Sequence, residues 1–290
     1  MGLCGLFSVL AIGSLVADNM TAMFIADCFF LLFMQTSGVK LLSRNEGTLS
    51  VTKKPVQQTK KTIHQLDQKQ VRQLLKDARA LPSIGQRMKL ISASLLGRPY
   101  LAHSLIGSAK EPEVFVATLD GFDCVTFVET VLALARAESV EEFLASLRKI
   151  RYERSEVTWE KRLHYATDWL QHNILGGLLT DMTSGEDTLV RTKPVSFIAG
   201  LPSHTVSFHY YPKRKLPQVS RWLADGDLIF FASTRQGLDV FHTGIVFRQG
   251  DRVILRHATR SQGRVVEQDL AEFVRLNQMP GFIIARPTER

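Results

Sequence analysis

Apolar side chains recur three and four residues apart through much of the chain's first two thirds, which is the spacing of amphipathic helices. Pro82 follows the first such segment and Gly97 follows the second, and both residues commonly end helices. Ser139 and Glu142 form the pattern of a capping box, which opens a helix. The predicted helices are Leu66–Leu81, Gly85–Leu96, Cys124–Ala137, Ser139–Arg151 and Arg162–Asn173.

The C-terminal third has a different pattern, with short β-branched and aromatic runs between Gly, Asp and Arg turns. A hairpin turn is predicted at Gln249-Gly250-Asp251, and a loop is predicted around His204 and His209. The predicted strands are Val114–Leu119, Asp227–Ala232, Val240–Phe247, Arg252–His257 and Phe282–Arg286. Helices followed by an antiparallel sheet predict an α+β fold, with a helical N-terminal half packed on a C-terminal antiparallel sheet.

The N-terminal segment 1–42 is strongly apolar and has no Lys or Arg before Lys40. Three interpretations fit it: an atypical signal peptide, a membrane anchor, or a start site assigned too early. We favour export to the periplasm or cell envelope, with possible N-terminal membrane association; a misassigned start would instead predict a cytoplasmic protein. Residues 43–65, rich in Thr, Lys, Gln and Ser, predict a linker to a domain over residues 66–287.

Composition limits the classes of protein that need to be considered. The chain has 290 residues, of which 45% are hydrophobic and 22% are charged, so it can form one large globular domain or two small ones. Three cysteines do not make a disulfide framework, and no paired Cys/His spacing predicts a structural zinc site. The sequence therefore predicts neither a bound metal nor a cofactor.

The formal net charge of +8 is concentrated near the start of the predicted domain. Eleven Lys or Arg residues lie between Lys53 and Arg98, against the two acidic residues Asp67 and Asp77. A basic surface attracts nucleic acid, anionic lipid or an acidic polymer. No helix-turn-helix, zinc-finger or RNA-binding pattern is present, so we expect no nucleic-acid partner.

Cys124 is the candidate nucleophile. A turn, Leu119-Asp120-Gly121-Phe122-Asp123, precedes it, and an apolar helix follows it. A thiol in the first turn of a helix lies near free backbone N–H groups and the positive end of the helix dipole, and both favour the thiolate. A buried structural cysteine is the alternative interpretation.

Two histidines follow on predicted strands. His242 begins one strand, and His257 ends the next, on the other side of the predicted hairpin turn. Side chains alternate between the faces of a sheet, so both histidines can point the same way. A cysteine nucleophile needs a base within hydrogen-bonding reach and a group that orients this base. Cys124, His242 and His257 can supply these three parts if the thiol helix packs against this sheet.

This order of residues resembles the papain-like NlpC family of cell-wall hydrolases. The matching motifs are Pro99-Tyr100, Asp123-Cys124, His242-Thr243-Gly244-Ile245 and His257-Ala258. The segments Asp-Cys-Val-Thr-Phe-Val-Glu and Arg162-x-His164-Tyr165-x-x-Asp168-Trp169 resemble more closely its N-acetylmuramoyl-L-alanine amidase-like branch, the domain-of-unknown-function family fourteen-sixty. The resemblance covers roughly residues 66–287.

The resemblance implies a monomeric cysteine amidase, without a cofactor, that acts on peptidoglycan fragments. Its branch is associated with the bond between the muramic acid lactyl group and L-alanine in anhydro-muropeptides. Most NlpC relatives instead cut between D-Glu and diaminopimelate, and the residues alone do not distinguish these two bonds. By the same resemblance, Cys124 is the nucleophile, His242 the general base and later acid, and His257 the residue that orients it.

Substrate contacts are also implied, for Tyr100, Asp123, Arg162, His164, Tyr165, Asp168 and Trp169. On a helix, His164, Asp168 and His172 would share one face, which allows a substrate platform, a metal site or an ordinary surface pair. Three further functions remain open at this point: a zinc hydrolase, a non-catalytic envelope-binding protein, and acyl transfer by the same residues. The zinc hydrolase would use residues from the set His164, Asp168, His204, His209 and His257.

Overall fold

Five helices precede the main sheet along residues 66–289, which are the residues that the computed structural model describes. The helices of this region are α1 (Gln68–Arg79), α2 (Ile84–Ser94), α3 (Cys124–Ala135), α4 (Val140–Arg151), α5 (Ala166–Leu175), α6 (Leu216–Val219) and α7 (Leu270–Leu276). The strands are β1 (Ile106–Ser108), β2 (Glu111–Val114), β3 (Leu179–Asp181), β4 (Leu189–Val195), β5 (His204–Pro212), β6 (Leu228–Ala232), β7 (Val240–Gln249), β8 (Arg252–Thr259), β9 (Arg264–Asp269) and β10 (Gly281–Pro287).

The main sheet of the described region has eight strands, and every pair of neighbours is antiparallel. Its order is β4-β5-β10-β6-β7-β8-β9, and β3 also pairs with β10. Strands β1 and β2 form a separate hairpin. The α+β class with helices and an antiparallel sheet is therefore confirmed.

Each face of the sheet supports its own hydrophobic core, because side chains alternate along every strand. Phe230 and Ile245 belong to the core that holds α1 to α4. Phe231 and Val246, their neighbours in sequence, belong to a second core with Phe273 of α7. The face toward which a strand residue points therefore decides which helices it can reach.

Side-chain caps explain why several helices begin where they do. Asp67, Ser83, Asp123 and Ser139 each precede a helix and accept a hydrogen bond from a backbone N–H group of its first turn. Such caps satisfy donors that have no partner inside the helix and typically stabilise it by about 1 kcal/mol. The predicted starts of α3 and α4 thus follow from local sequence.

Three predicted elements differ from the structure. The strand predicted over Val114–Leu119 is wrong, because the chain pairs only over Glu111–Val114. The helix predicted over Arg162–Asn173 begins at Ala166 instead, so residues 162–165 precede it. The loop predicted around His204 and His209 is wrong as well, because both residues lie in β5.

A buried ion pair joins α3 to α4. The Arg151 Nε atom donates to Glu129 Oε2 over 2.7 Å, and both side chains are almost fully buried. Arg151 also donates to the Val116 carbonyl, and Trp169 Nε1 donates to the second Glu129 oxygen. Burial raises the pKa of the Glu129 carboxyl, whereas Arg151 opposes this rise. The Glu129 carboxylate therefore keeps its charge inside the protein because the Arg151 cation is next to it.

We expect Arg151→Met to lower the free energy of unfolding by about 3–5 kcal/mol, because it leaves a buried carboxylate without its cation. Urea denaturation measures this loss. The exposed pair Arg79–Glu138 provides the control, since Arg79→Met should cost no more than about 1 kcal/mol. The double change Glu129→Gln/Arg151→Met should be less damaging than Arg151→Met alone. Equal losses for Arg151→Met and Arg79→Met would contradict this account.

Within residues 66–289, no helix is both long and apolar enough to span a bilayer. The predicted export or anchor segment 1–42 and the predicted linker 43–65 lie outside the described residues. The domain limits and the cellular location remain predictions from the sequence.

Candidate active site

Cys124 is the first residue of α3 and is 5% exposed. The Asp123 carboxylate accepts from the Thr126 backbone N–H over 2.7 Å, and the Thr126 hydroxyl oxygen accepts from the Asp123 N–H over 3.0 Å. This reciprocal capping box fixes the turn that carries the thiol. The Asp123 side chain, which was predicted to contact substrate, therefore caps the helix.

The segment before Cys124 is held at the edge of the main sheet. The backbone N–H of Tyr100 donates to the Gly263 carbonyl over 2.8 Å, and the N–H of Phe122 donates to the Pro99 carbonyl over 3.0 Å. Tyr100 and Phe122 form a parallel bridge. The structure thus places the partly exposed Tyr100 beside the residue that lies two positions before the thiol.

His242 on β7 and His257 on β8 form a direct pair. His242 Nε2 lies 2.6 Å from His257 Nδ1, and the two residues are 2% and 1% exposed. Gly244 leaves room for this arrangement, because a Cβ atom at that position would lie 3.0 Å from the His257 Cβ. The structure therefore brings the two predicted strand histidines together on one face of the sheet.

Aromatic rings surround the histidine pair. Phe231 stacks on the His242 ring, and Phe273 contacts both rings. Burial lowers the pKa of His242 to about 3, so this imidazole is neutral at neutral pH. Its Nδ1 atom is buried and has no hydrogen-bond partner. The unengaged ring nitrogen of a neutral imidazole is a hydrogen-bond acceptor, provided that the proton is on the other nitrogen.

The body of α3 packs against the opposite face of the sheet. Val125 and Val128 of α3 enclose a cavity of about 20 Å³ together with Phe230 and Thr243. Alternation directs Thr243 toward α3 and His242 toward α7. The thiol helix thus packs against this sheet, as the sequence predicts, but its body lies on the face opposite the histidine pair. Neither ring nitrogen of His242 is hydrogen-bonded to Cys124.

The Arg162 guanidinium, for which a substrate contact is implied, already has a partner inside the protein. Its Nη1 atom lies 2.9 and 3.1 Å from the two Glu113 carboxylate oxygens. The guanidinium also stacks on Trp159, and the Tyr152 hydroxyl donates to Glu113. The Glu113 carboxylate neutralises Arg162 and fixes its orientation, so this side chain is not a free cation for a ligand.

The substrate contact implied for Trp169 is wrong, because this side chain lies inside the protein. The side chain is 2% exposed, packs against Phe230 and donates to Glu129. Tyr165 is also buried, and its hydroxyl oxygen accepts from the Ile198 N–H over 3.0 Å. Both aromatic side chains belong to the core.

The remaining predicted residues of this segment line a cleft of about 530 Å³ beside α5. His204 Nε2 lies 2.9 Å from the Asp168 carboxylate, and both side chains remain partly exposed. His164 Nε2 lies 2.8 Å from the Trp159 carbonyl oxygen. Burial lowers the pKa of His164 to about 4 and raises the pKa of Asp168, which His204 opposes. The cleft therefore contains a neutral histidine and an Asp–His pair.

The side chains considered for a zinc site do not gather around one point. Asp168 pairs with His204, while His209 contacts the Thr188 hydroxyl. His257 lies against His242 in the second core. Among the described residues, no three His, Cys, Asp or Glu side chains are grouped as metal ligands.

Lys193 and Asp239, two buried side chains that no sequence motif indicates, hold the loop before β7. Lys193 of β4 donates to carbonyl oxygens within residues 233–238, including that of Leu238 over 2.5 Å. Asp239 accepts from the Thr167 N–H over 2.7 Å, at the first turn of α5. The loop that leads to His242 is thus fixed to both β4 and α5.

Comparison with known proteins shows a family whose members resemble this chain. A family model described as AmiA-like, N-acetylmuramoyl-L-alanine amidase-like, matches residues 90–282. A crystal structure of an N-acetylmuramoyl-L-alanine amidase from Bacteroides uniformis is 29% identical, with a TM-score of 0.65. The similarity covers 71% of this chain and 99% of that one.

A second solved structure shows the same fold. It belongs to a Legionella pneumophila protein of the domain-of-unknown-function family fourteen-sixty, with 23% identity and a TM-score of 0.68. The similarity covers 77% of this chain and 95% of that one. Comparison with curated proteins gives no significant match.

Proposed function

The chain belongs to the N-acetylmuramoyl-L-alanine amidase-like family, and we propose that it is a cysteine amidase with an NlpC-type papain-like core. Its proposed substrates are peptidoglycan fragments, cut at the amide bond between the muramic acid lactyl group and L-alanine. Family membership supports an amidase that acts on peptidoglycan. That the enzyme cuts the bond between the lactyl group and L-alanine is a further step of the proposal, and the description of the matching family supports this step.

The observation that carries the cysteine mechanism is the buried His242–His257 pair, with its 2.6 Å contact and the unpartnered Nδ1 of His242. A base of this kind can activate a nucleophile, and Cys124 stands at the start of α3, two residues after the bridge between Tyr100 and Phe122. Because the body of α3 packs on the opposite face, the proposal requires the thiol to reach His242 from the N-terminal end of that helix.

The proposed reaction begins when the Cys124 thiol gives its proton to His242 Nδ1 and the sulfur attacks the lactyl carbonyl carbon. Backbone N–H groups at the start of α3 stabilise the negative charge that develops on the carbonyl oxygen. The C–N bond then breaks, and the leaving amine takes the proton from His242. A thioester to the muramoyl group remains.

Water completes the cycle. His242 accepts a proton from the water molecule that attacks the thioester carbonyl, and the C–S bond breaks as the sulfur of Cys124 regains a proton. The products are a muramoyl carboxylate and a peptide with a free L-alanine amine. Throughout, His257 holds His242 through Nε2 and stabilises the imidazolium form by accepting its N–H.

Mass analysis of products from defined muropeptides tests the proposed bond. We expect an intact peptide that begins with L-alanine, together with the sugar bearing a free lactyl carboxylate. A sugar that retains L-Ala–D-Glu would contradict the proposal and indicate a D-Glu–diaminopimelate endopeptidase. Transfer of the muramoyl group to an added amine would indicate acyl transfer, and binding without turnover would indicate a binding protein.

A further inference from the structure

The cleft beside α5 carries polar side chains that the proposed reaction does not use. We propose that it binds the acidic peptide stem of the substrate, with His204 contacting a substrate carboxylate and His164 accepting a substrate amide N–H. This inference rests on the proposed function, because it assigns the leaving peptide of the same reaction to a place on the protein.

The position of the cleft suits a peptide that leaves the reaction centre. Leu163 and His164 line both this cleft and the small cavity beside α3, where Val125 follows Cys124 in the chain. The lining then continues along α5 to Leu175. A ten-residue helix is about 15 Å long, and three extended residues span about 10 Å, so a short stem fits along it.

His164 lines the cleft and carries a hydrogen-bond acceptor. A carbonyl oxygen can only accept, so the contact with the Trp159 carbonyl requires a proton on His164 Nε2. Burial lowers the pKa of this histidine to about 4, and the ring is therefore neutral. A neutral imidazole with its proton on Nε2 has an unprotonated Nδ1, which can accept the N–H of a peptide bond.

His204 is suited to donate a hydrogen bond to a ligand, whereas His164 is suited to accept one. The Asp168 carboxylate engages its Nε2 at 2.9 Å, and the Tyr165 ring packs edge-on against the imidazole. These contacts fix the ring while 44% of the side chain stays exposed. Asp168 balances the charge of the imidazolium form, in which Nδ1 is a donor toward a carboxylate.

The lysine and arginine side chains that line the cleft are already engaged. Lys161 pairs with Glu153 over 2.8 Å, and Arg162 pairs with Glu113 over 2.9 Å. A ligand carboxylate that entered would compete with these internal carboxylates at either side chain. His204 is therefore the hydrogen-bond donor that we assign to the free α-carboxylate of a γ-linked D-glutamate in the stem.

A matched pair of substrates tests the assignment. N-Acetylmuramoyl-L-alanyl-D-glutamate has this carboxylate free, whereas the D-isoglutamine analogue has an uncharged amide there. We expect the wild-type protein to hydrolyse the acid with a kcat/KM about 10- to 100-fold higher, mainly through KM, as is typical of a hydrogen bond to a charged group. His204→Ala should remove this preference, and His204→Gln should restore part of it.

His209→Ala is the matched control, because His209 lies on the same strand and contacts Thr188 outside the cleft. It should leave the preference unchanged. Equal rates for both substrates, or an unchanged preference in His204→Ala, would overturn this inference and leave the amidase proposal intact. Absence of hydrolysis of both substrates by the wild-type protein would overturn the proposed function and this inference together.

Discussion

Cys124→Ala should lower kcat/KM for muropeptide hydrolysis by at least about 10⁴-fold, because it removes the atom that forms the acyl-enzyme bond. The rate that remains would come from binding and from stabilisation of the oxyanion alone. Alanine is close to cysteine in size and favours helices, so the free energy of unfolding should change by less than about 1.5 kcal/mol. Hydrolysis rates and urea denaturation of the same preparation measure the two effects.

The other two cysteines provide the control for this experiment. Cys4 and Cys28 lie in the N-terminal segment, outside the matched family region. The double variant Cys4→Ser/Cys28→Ser should keep wild-type activity and should lose it on treatment with iodoacetamide, which then reacts at Cys124. A Cys124→Ala protein that hydrolyses muropeptides at the wild-type rate would eliminate the thiol mechanism.

The parts of the site that could be predicted depend on contacts between near neighbours in the chain. Asp123 and Thr126 form their capping box within one turn, so the sequence alone indicates where α3 starts and that Cys124 opens it. The turn between β7 and β8 likewise brings His242 and His257 together by simple alternation. Local geometry was sufficient in both cases.

The errors concern residues whose partners are distant in the chain. Arg162 and Trp169 were assigned to the substrate, but their partners are Glu113 and Glu129, which lie 49 and 40 residues away. A buried carboxylate needs a donor or a cation, and the sequence does not show which carboxylates become buried. The start of α5 was missed for a similar reason, since its cap comes from Asp239, 72 residues from Thr167.

The hairpin of β4 and β5 could have been recognised from its pattern. Val206 and Phe208 are buried and alternate with the exposed residues Thr205, Ser207 and His209. Period-two alternation of this kind predicts a half-buried strand even where histidine and proline are frequent. Recognising that strand would have given His204 a fixed position, although its pairing with Asp168 of α5 depends on the tertiary fold.

The second large effect that we expect is the loss of turnover when the imidazole of His242 is removed. Because its imidazole is neutral and its Nδ1 is unengaged, we expect His242→Ala to lower kcat by about 10²–10⁴-fold, as is typical when a general base is removed, with little change in KM. Alkylation of Cys124 at neutral pH should also slow, since the thiol would lose the group that takes its proton. His257→Ala should have a smaller effect, and His257→Gln the smallest, because glutamine can still accept the His242 N–H.

Thr243→Val is the control from the same strand, because Thr243 points toward α3 and donates to the Ile229 carbonyl over 2.8 Å. It should reduce stability through the lost hydrogen bond while kcat stays near the wild-type value. If Thr243→Val abolished turnover and His242→Ala did not, the face that packs on α3 would carry the chemistry. The histidine pair would then be a buried structural contact, and the proposed base would be wrong even if Cys124 were still essential.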